Sequence, residues 1–295
     1  MTTPEALVEI APAKVNLTLR VLSRRSDGYH DLESLVAFAD CGERLSFSPG
    51  VELSLTVGGP TATQAGPIND NLVIRAARAL AGRIPDVRLG AFHLNKQLPA
   101  AAGLGGGSSD AAAALRLLVR ANSLAADDPR LLAAARAVGS DVPVCLDPRT
   151  RLMRGVGEVL SPPIALPPLP AVLVNPGVAL ATKAVFAKWT PNPAYSVPLA
   201  PATIAKAASF EACVELLKTQ SNDLEAPARA LAPVIANLLG VLRGLPGCRL
   251  ARMSGSGSTC YALFAAAAEA AEAARGLAEQ YHHWWVRACV LGKAG

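Results

Sequence analysis

The segment Leu98-Pro99-Ala100-Ala101-Ala102-Gly103-Leu104-Gly105-Gly106-Gly107-Ser108-Ser109-Asp110 runs directly into an unbroken Ala/Leu helix pattern over Ala111–Val119. No other stretch constrains the fold as tightly. Four glycines in five positions leave the main chain bare of Cβ atoms, so backbone N–H groups can converge on an anion. The helix that follows brings its N-terminal N–H groups and partial positive charge to the same point. Ser108 and Ser109 can cap that helix or offer hydroxyls to phosphate or a metal ion. The plain alternative is a flexible loop ending in an ordinary N-cap. A loop so dense in glycine, followed at once by a strong helix, favours a phosphate site instead. The loop is not a Walker A motif, because no Lys follows the last Gly. Nor is it a dinucleotide fingerprint, since Ser108 stands where the third Gly would fall.

Around this loop the pattern alternates between extended and helical. Val8–Val21 and Tyr29–Phe38 read as strands, and Arg44–Val57 gives two more about Pro49-Gly50. Asp70-Asn71 can cap a helix with the apolar face Leu72, Ile74, Ala77 and Leu80. A strand over Val87–Leu94 precedes the glycine loop, and a helix over Pro129–Val138 carries proline in its first turn. Five prolines crowd Pro162–Pro170, an irregular join between residues 1–160 and 161–295. Beyond it come a strand at Ala171–Asn175 and helices near Lys183–Trp189, Phe210–Leu217 and Leu231–Leu242. The strand Thr259–Phe264, an alanine-rich helix to Gln280 and a strand over Trp284–Val290 follow. Strands and helices mixed in both halves predict an α+β fold.

Bulk properties narrow the function. Hydrophobic residues are 51% and charged ones 17%, enough for a large core and against disorder. The net charge of +5 is spread without a basic, aromatic-rich stripe, which excludes a nucleic-acid surface but suits an anionic small molecule. Six dispersed cysteines, none in C-x-x-C or near His at ligand spacing, read as free thiols in a reducing compartment, with no metal site of their own. Glu5 and Glu9 interrupt any signal peptide, and no apolar run reaches membrane-spanning length. The expectation is a cytoplasmic protein without a membrane partner. Its oligomeric state is left as monomer or weak homodimer.

The loop from Pro99 through Gly103-Leu104-Gly105 to Ser108-Ser109 resembles the phosphate loop of the GHMP kinases. Four more segments are similar to motifs of that family, in the same order: Pro12-Ala13-Lys14-Val15-Asn16-Leu17, Arg25-Ser26-Asp27-Gly28-Tyr29-His30, Gly139-Ser140-Asp141-Val142-Pro143 and Met253-Ser254-Gly255-Ser256-Gly257. The triple glycine and the Asp27-Gly28-Tyr29-His30 text resemble the branch that acts on a cytidine diphosphate-linked methylerythritol. The resemblance implies ATP-dependent phosphorylation of an alcohol. It also implies a two-domain fold, with a ribosomal S5 domain 2-like N-terminal nucleotide domain and a ferredoxin-like C-terminal substrate domain.

The resemblance also assigns roles. Pro99, Gly103, Leu104, Gly105, Gly106, Gly107, Ser108 and Ser109 would hold ATP. Asn71 would either contact the nucleotide or cap its helix. Mg2+ would ride mainly on the ATP phosphates, with Ser108 or Ser109 as a possible hydroxyl ligand. Asp141 would be the general base, although an isolated Ser-Asp-x-Pro is more often a helix cap or a turn residue. Lys14 sits in an alternating strand, where solvent is its default direction. Turned inward it would need a carboxylate partner, a place Asp141 could fill. Asn16, two residues on and on the same face, would bind substrate. Tyr29 and His30 would recognise cytosine by stacking and hydrogen bonding, with Phe186 as the second wall and Thr182 nearby; a core Phe186 is nearly as good a reading. Asp110 would complement the helix dipole. Cys145 stands where the family suggests an aromatic residue. Rival readings are another GHMP kinase, a nucleotide-binding regulator without turnover, and an oxidoreductase.

Overall fold

A computed structural model describes residues 6–191 and 198–292. Residues 1–5, where Glu5 and the start of the signal-peptide question fall, lie outside the described residues. In chain order the strands are β1 Leu7–Asn16, β2 Arg20–Arg24, β3 His30–Pro49, β4 Ser54–Gly58, β5 Gly90–Asn95 and β6 Arg151–Gly155. They continue as β7 Val159–Leu160, β8 Leu169–Asn175, β9 Leu250–Met253, β10 Cys260–Leu263 and β11 Trp285–Leu291. The helices are α1 Leu72–Ala81, α2 Gly106–Ala121, α3 Pro129–Val138, α4 Val142–Leu146 and α5 Thr182–Ala187. After them come α6 Pro201–Ala205, α7 Phe210–Lys218, α8 Glu225–Leu231, α9 Val234–Arg243 and α10 Ala267–Gln280. This is the α+β mixture the sequence predicts.

The chain forms two compact units. The first gathers the segments up to Ala13, Gly42–Ala100 and Gly105–Asp147. Within it, the second half of β3 pairs antiparallel with β5, Phe47 opposite Phe92, and β4 pairs parallel with β5. Helices α1 to α4 supply the rest of its core. Asn71 caps α1 by accepting a hydrogen bond from the Val73 N–H at 3.0 Å. That helix buries Val73, Ile74, Ala76, Ala77 and Leu80, an amphipathic stripe at helical spacing. In α2, Ala111, Ala112, Ala113 and Ala114 are all fully buried, because small side chains let neighbouring elements approach on every side. Asp128 caps α3 by accepting from the Arg130 N–H at 2.8 Å, with Pro129 in the first turn.

The second unit gathers Lys14–Cys41, Ala101–Leu104 and the chain from Pro148 onward. Here β2 and β6 flank the first half of β3, and the strand order continues β3-β11-β8-β10-β9. Every residue of β8 is buried, as the apolar run up to Val174 demands of a strand with neighbours on both edges. The core over this sheet is built from Val172, Val174, Ile235, Leu238, Leu239 and Phe264, with Leu277 of α10 packed in. The proline-rich join is irregular up to Pro168, and β8 takes Leu169 and Pro170. Among the described residues, no helix is long and apolar enough to cross a membrane.

Candidate active site

In the first unit the glycine loop ends at Gly105, which has φ +61° and serves as the N-cap of α2. This left-handed turn is one that glycine adopts at no steric cost. Gly105 has no side chain to cap the helix, so the first-turn N–H groups lack the usual side-chain acceptor. Gly107 is exposed and Ser108 half-buried at this end. Such an uncapped, positively polarised helix start on bare backbone fits a phosphate group. Ser109 behaves differently. It is buried, and its hydroxyl donates to the Pro12 carbonyl at 2.7 Å and lies 3.5 Å from Cys145 Sγ. Its side chain therefore braces the loop, and Ser108 carries the more open hydroxyl. At the other end of the loop, Thr61 Oγ1 donates to the Leu98 carbonyl at 2.9 Å, just before the half-buried Pro99.

Sequence reading missed the support under this loop. Lys96 Nζ lies 2.6 Å from Glu43 Oε1, 2.7 Å from Glu43 Oε2 and 3.0 Å from Asp110 Oδ2, with all three side chains buried. Glu43 Oε1 also accepts from the Leu98 N–H at 3.3 Å. Asp110 is therefore not a surface carboxylate serving the helix dipole: it points inward, and its Oδ1 has no hydrogen-bond partner. Burial, with Glu43 close by, pushes the Asp110 carboxyl well above the usual range, and Lys96 only partly opposes this. With a second carboxylate beside it and one ammonium between them in a dry site, the neutral form of Asp110 is favoured. The only sequence signals were a Lys closing the apolar strand before the loop and a Glu inside β3.

Asp141 is half-buried at the N-cap position of α4, before the buried residues Val142, Pro143 and Val144. It stands in the turn before that helix, as the plain reading expects, but its side chain makes no capping bond to it. Cys145, also buried, leaves a smaller wall than an aromatic residue would. Asn71 does act as a cap, as one of its two readings held.

In the second unit Lys14 is buried, against the solvent direction that alternation suggested. Its backbone N–H donates to the Leu104 carbonyl at 2.8 Å, and its Nζ donates to Asn16 Oδ1 at 3.3 Å. Asn16 Nδ2 in turn donates to Ser34 Oγ at 2.7 Å. The Asn16 amide thus has a protein partner at both ends and helps orient Lys14. Ser254 ties the end of β1 to the glycine loop: its Oγ accepts from the Asn16 N–H at 3.0 Å and donates to the Gly103 carbonyl at 2.8 Å. Gly103 has φ +77°, and a Cβ there would fall 2.3 Å from the Ser254 carbonyl oxygen. Gly103→Ala is expected to cost at least about 1–2 kcal/mol from the left-handed backbone alone. Chemical denaturation would show the loss, with ATP affinity falling in the fraction that remains folded.

His30 stacks on Phe186 with ring centroids 4.9 Å apart and meets Trp189 edge-on at 5.7 Å. Burial, helped by the positive charge of Arg24, lowers the pKa of its imidazole, so the ring is neutral near pH 7. Tyr29 is 62% exposed. The ring facing Phe186 is therefore His30 and not Tyr29. Thr182, exposed at the start of α5, lies 3.0 Å from Ser256 Oγ through its hydroxyl. A cleft of about 440 Å³ beside Trp189 is lined by Asp223, Ala226 and Pro227 and contains none of the site residues singled out from the sequence. Among the described residues no group of three or more His, Cys, Asp or Glu side chains could hold a metal ion.

Comparison with known proteins agrees with the glycine loops. The family described as GHMP kinases N terminal domain matches residues 71–147, and GHMP kinases C terminal matches 205–283. The chain is 55% identical over 294 residues to the 4-diphosphocytidyl-2-C-methyl-D-erythritol kinase of Rhodopseudomonas palustris, covering 98% of this chain and 96% of that protein. It is 57% identical over 285 residues to the Xanthobacter autotrophicus protein of the same name, covering 95% and 97%. A crystal structure of 4-(cytidine 5'-diphospho)-2C-methyl-D-erythritol kinase superposes with a TM-score of 0.77 at 37% identity, over 97% of this chain and 100% of that one. Homoserine kinase from Cytophaga hutchinsonii shares the fold, with a TM-score of 0.73 at 16% identity over 100% and 98%.

Proposed function

The chain belongs to the GHMP kinases, and we propose that it transfers the γ-phosphate of ATP to the 2-hydroxyl of 4-diphosphocytidyl-2-C-methyl-D-erythritol, a step of non-mevalonate isoprenoid precursor synthesis. The observation that carries this reading is the full-length identity above one half to kinases of that name. The uncapped start of α2 supports the ATP side of it.

The residues divide the work as follows. The Pro99–Ser109 loop and the α2 N-terminus bind and orient the phosphates. Ser108 is the hydroxyl best disposed to share in holding Mg2+, since Glu43 and Asp110 are committed to Lys96. When bound, that ion would neutralise charge on the ATP phosphates. Asp141 accepts the proton of the attacking hydroxyl, and Lys14 stabilises the oxygen as it loses that proton. Asn16 holds the Lys14 ammonium in place. His30 and Phe186 recognise the cytosine, with Tyr29 and Thr182 at the edge of that site. On this division the ATP-binding residues fall within 1–160, while the substrate draws on both halves, with Asn16, Tyr29 and His30 from 1–160 and Thr182 and Phe186 from 161–295. The protein acts in the cytoplasm as a monomer or weak homodimer, with no nucleic-acid or membrane partner.

The test is ADP release with the cytidyl substrate, ATP and Mg2+, beside homoserine and mevalonate controls. Release confined to the cytidyl substrate is expected; release on another alcohol alone would move the substrate within the family. ATP binding without turnover on any of them would favour a regulator. His30→Ala is expected to raise KM for the cytidyl substrate about tenfold, equal to roughly 1.4 kcal/mol, with a smaller change in kcat. An effect on ATP affinity alone would refute the role of His30.

A further inference from the structure

Cys41 on β3 and Cys289 on β11 lie at one sheet seam within the second unit. The register between these antiparallel strands pairs Ala39 with Leu291. The Gly292 N–H donates to the Phe38 carbonyl at 3.1 Å, one residue outside that pair on each strand. This bonding pattern marks Ala39 and Leu291 as the narrow, non-hydrogen-bonded kind of pair, about 4.5 Å between Cα atoms. Two residues along each strand, on the same face, stand Cys41 and Cys289; between them the Val290 N–H donates to Asp40 Oδ1 at 2.9 Å, so the two strands still run side by side at this point. The two thiols are near enough to shift each other's titration, Cys41 downward and Cys289 upward.

The two thiols are not equivalent. Cys289 is 7% exposed, whereas Cys41 is only half-buried, so an oxidant reaches Cys41 first. The neighbouring Cys289 thiol lowers the pKa of Cys41, while Cys41 and burial push Cys289 well up. An accessible sulfur with thiolate character beside a protected second sulfur is the arrangement of a redox-responsive pair. Cys213 and Cys260, by contrast, are buried with thiol pKa values raised by burial.

We propose that Cys41 and Cys289 form a reversible cross-strand disulfide, a modification site that lies outside the kinase chemistry. With glutathione disulfide as oxidant, the Cys41 thiolate attacks one glutathione sulfur, and the S–S bond breaks to release a glutathione thiolate. The Cys289 sulfur, giving up its proton, then attacks Cys41 and expels the second glutathione. The two protein thiols lose two electrons and two protons, and one glutathione disulfide becomes two glutathiones. The product clamps β11 to β3.

The test uses the full chain in glutathione redox buffers, with free thiols blocked at intervals and peptides mapped by mass spectrometry. The expected product is a Cys41–Cys289 link that dithiothreitol reverses. Cys289→Ser should stop the reaction at a glutathione adduct on Cys41, and Cys41→Ser should give no link and leave Cys289 unmodified. In the reduced wild type, which needs no variant to fold, iodoacetamide should label Cys41 at least about tenfold faster than Cys289. Failure of the link at redox ratios that modify other cysteines would overturn the proposal, as would equal labelling of the two thiols or preferential linking of Cys41 to another cysteine.

Discussion

Replacing Asp141 with Asn is expected to lower kcat by about 10²-fold or more while leaving ATP affinity nearly unchanged. The amide keeps the size and shape of the carboxylate but cannot take a proton from the attacking hydroxyl. The position suits such a clean test. The Asp141 side chain makes no capping bond to α4, so the substitution removes no helix cap. The residues that follow, Val142, Pro143 and Val144, are buried and hold the turn from below. Nucleotide binding by calorimetry, thermal melting and single-turnover phosphorylation together separate the possibilities. A turnover close to wild type would make Asp141 structural, and a parallel loss of ATP affinity would place it with the nucleotide instead.

How far the sequence foretold this arrangement depends on whether a signal was local. The helix over 129–138 is read to the residue, because Asp128-Pro129 starts it and Gly139 stops it within one stretch of text. The α2 start was read five residues late, at Ala111 instead of Gly106. Gly-Gly-Ser-Ser has the composition of a loop, and only the tertiary setting makes it helix. The single strand read over Val8–Val21 is two, with a break at residues 17–19. There the Leu35 N–H takes Thr18 Oγ1 as acceptor, and the Leu19 N–H donates to the Ser221 carbonyl, a partner some two hundred residues away. The short strand β6 and the helix α8, which carries Pro227 near its start, were too brief and too mixed to be read. Site residues followed the same rule. Motif text located the glycine loop, Asp141 and His30, but the burial of Lys14, the hydroxyl bond of Ser109 and the stacking of His30 on Phe186 depend on what the chain brings alongside. Lys96 and Glu43 are the extreme case: their meaning is each other, and 53 residues separate them.

That pair carries the largest expected effect on stability. Lys96→Met should destabilise the protein by about 3–5 kcal/mol, because it leaves the buried carboxylates of Glu43 and Asp110 without their cation. Asp110→Asn should cost far less, under about 1 kcal/mol. The remaining Glu43 and Lys96 then form a balanced pair, and the neutral Asn removes the second buried acid. The pH dependence gives the sign. The Asp110 carboxyl is held well above its ordinary 3.8, so the folded state binds this proton more tightly than the unfolded chain does. Its contribution is complete below about 3.8 and fades as pH rises through the folded value. Without Lys96 the carboxylates must protonate to remain buried, so the Lys96→Met deficit should be greatest at high pH and shrink on acidification. Urea denaturation across pH measures this, and a deficit independent of pH would mean that the lost lysine contributes packing and not charge. Because Glu43 also holds the Leu98 N–H where the glycine loop begins, KM for ATP should rise in Lys96→Met under conditions where the protein is still folded. The same substitution accompanied by Glu43→Gln and Asp110→Asn removes the stranded charge, and most of the lost stability should return with it.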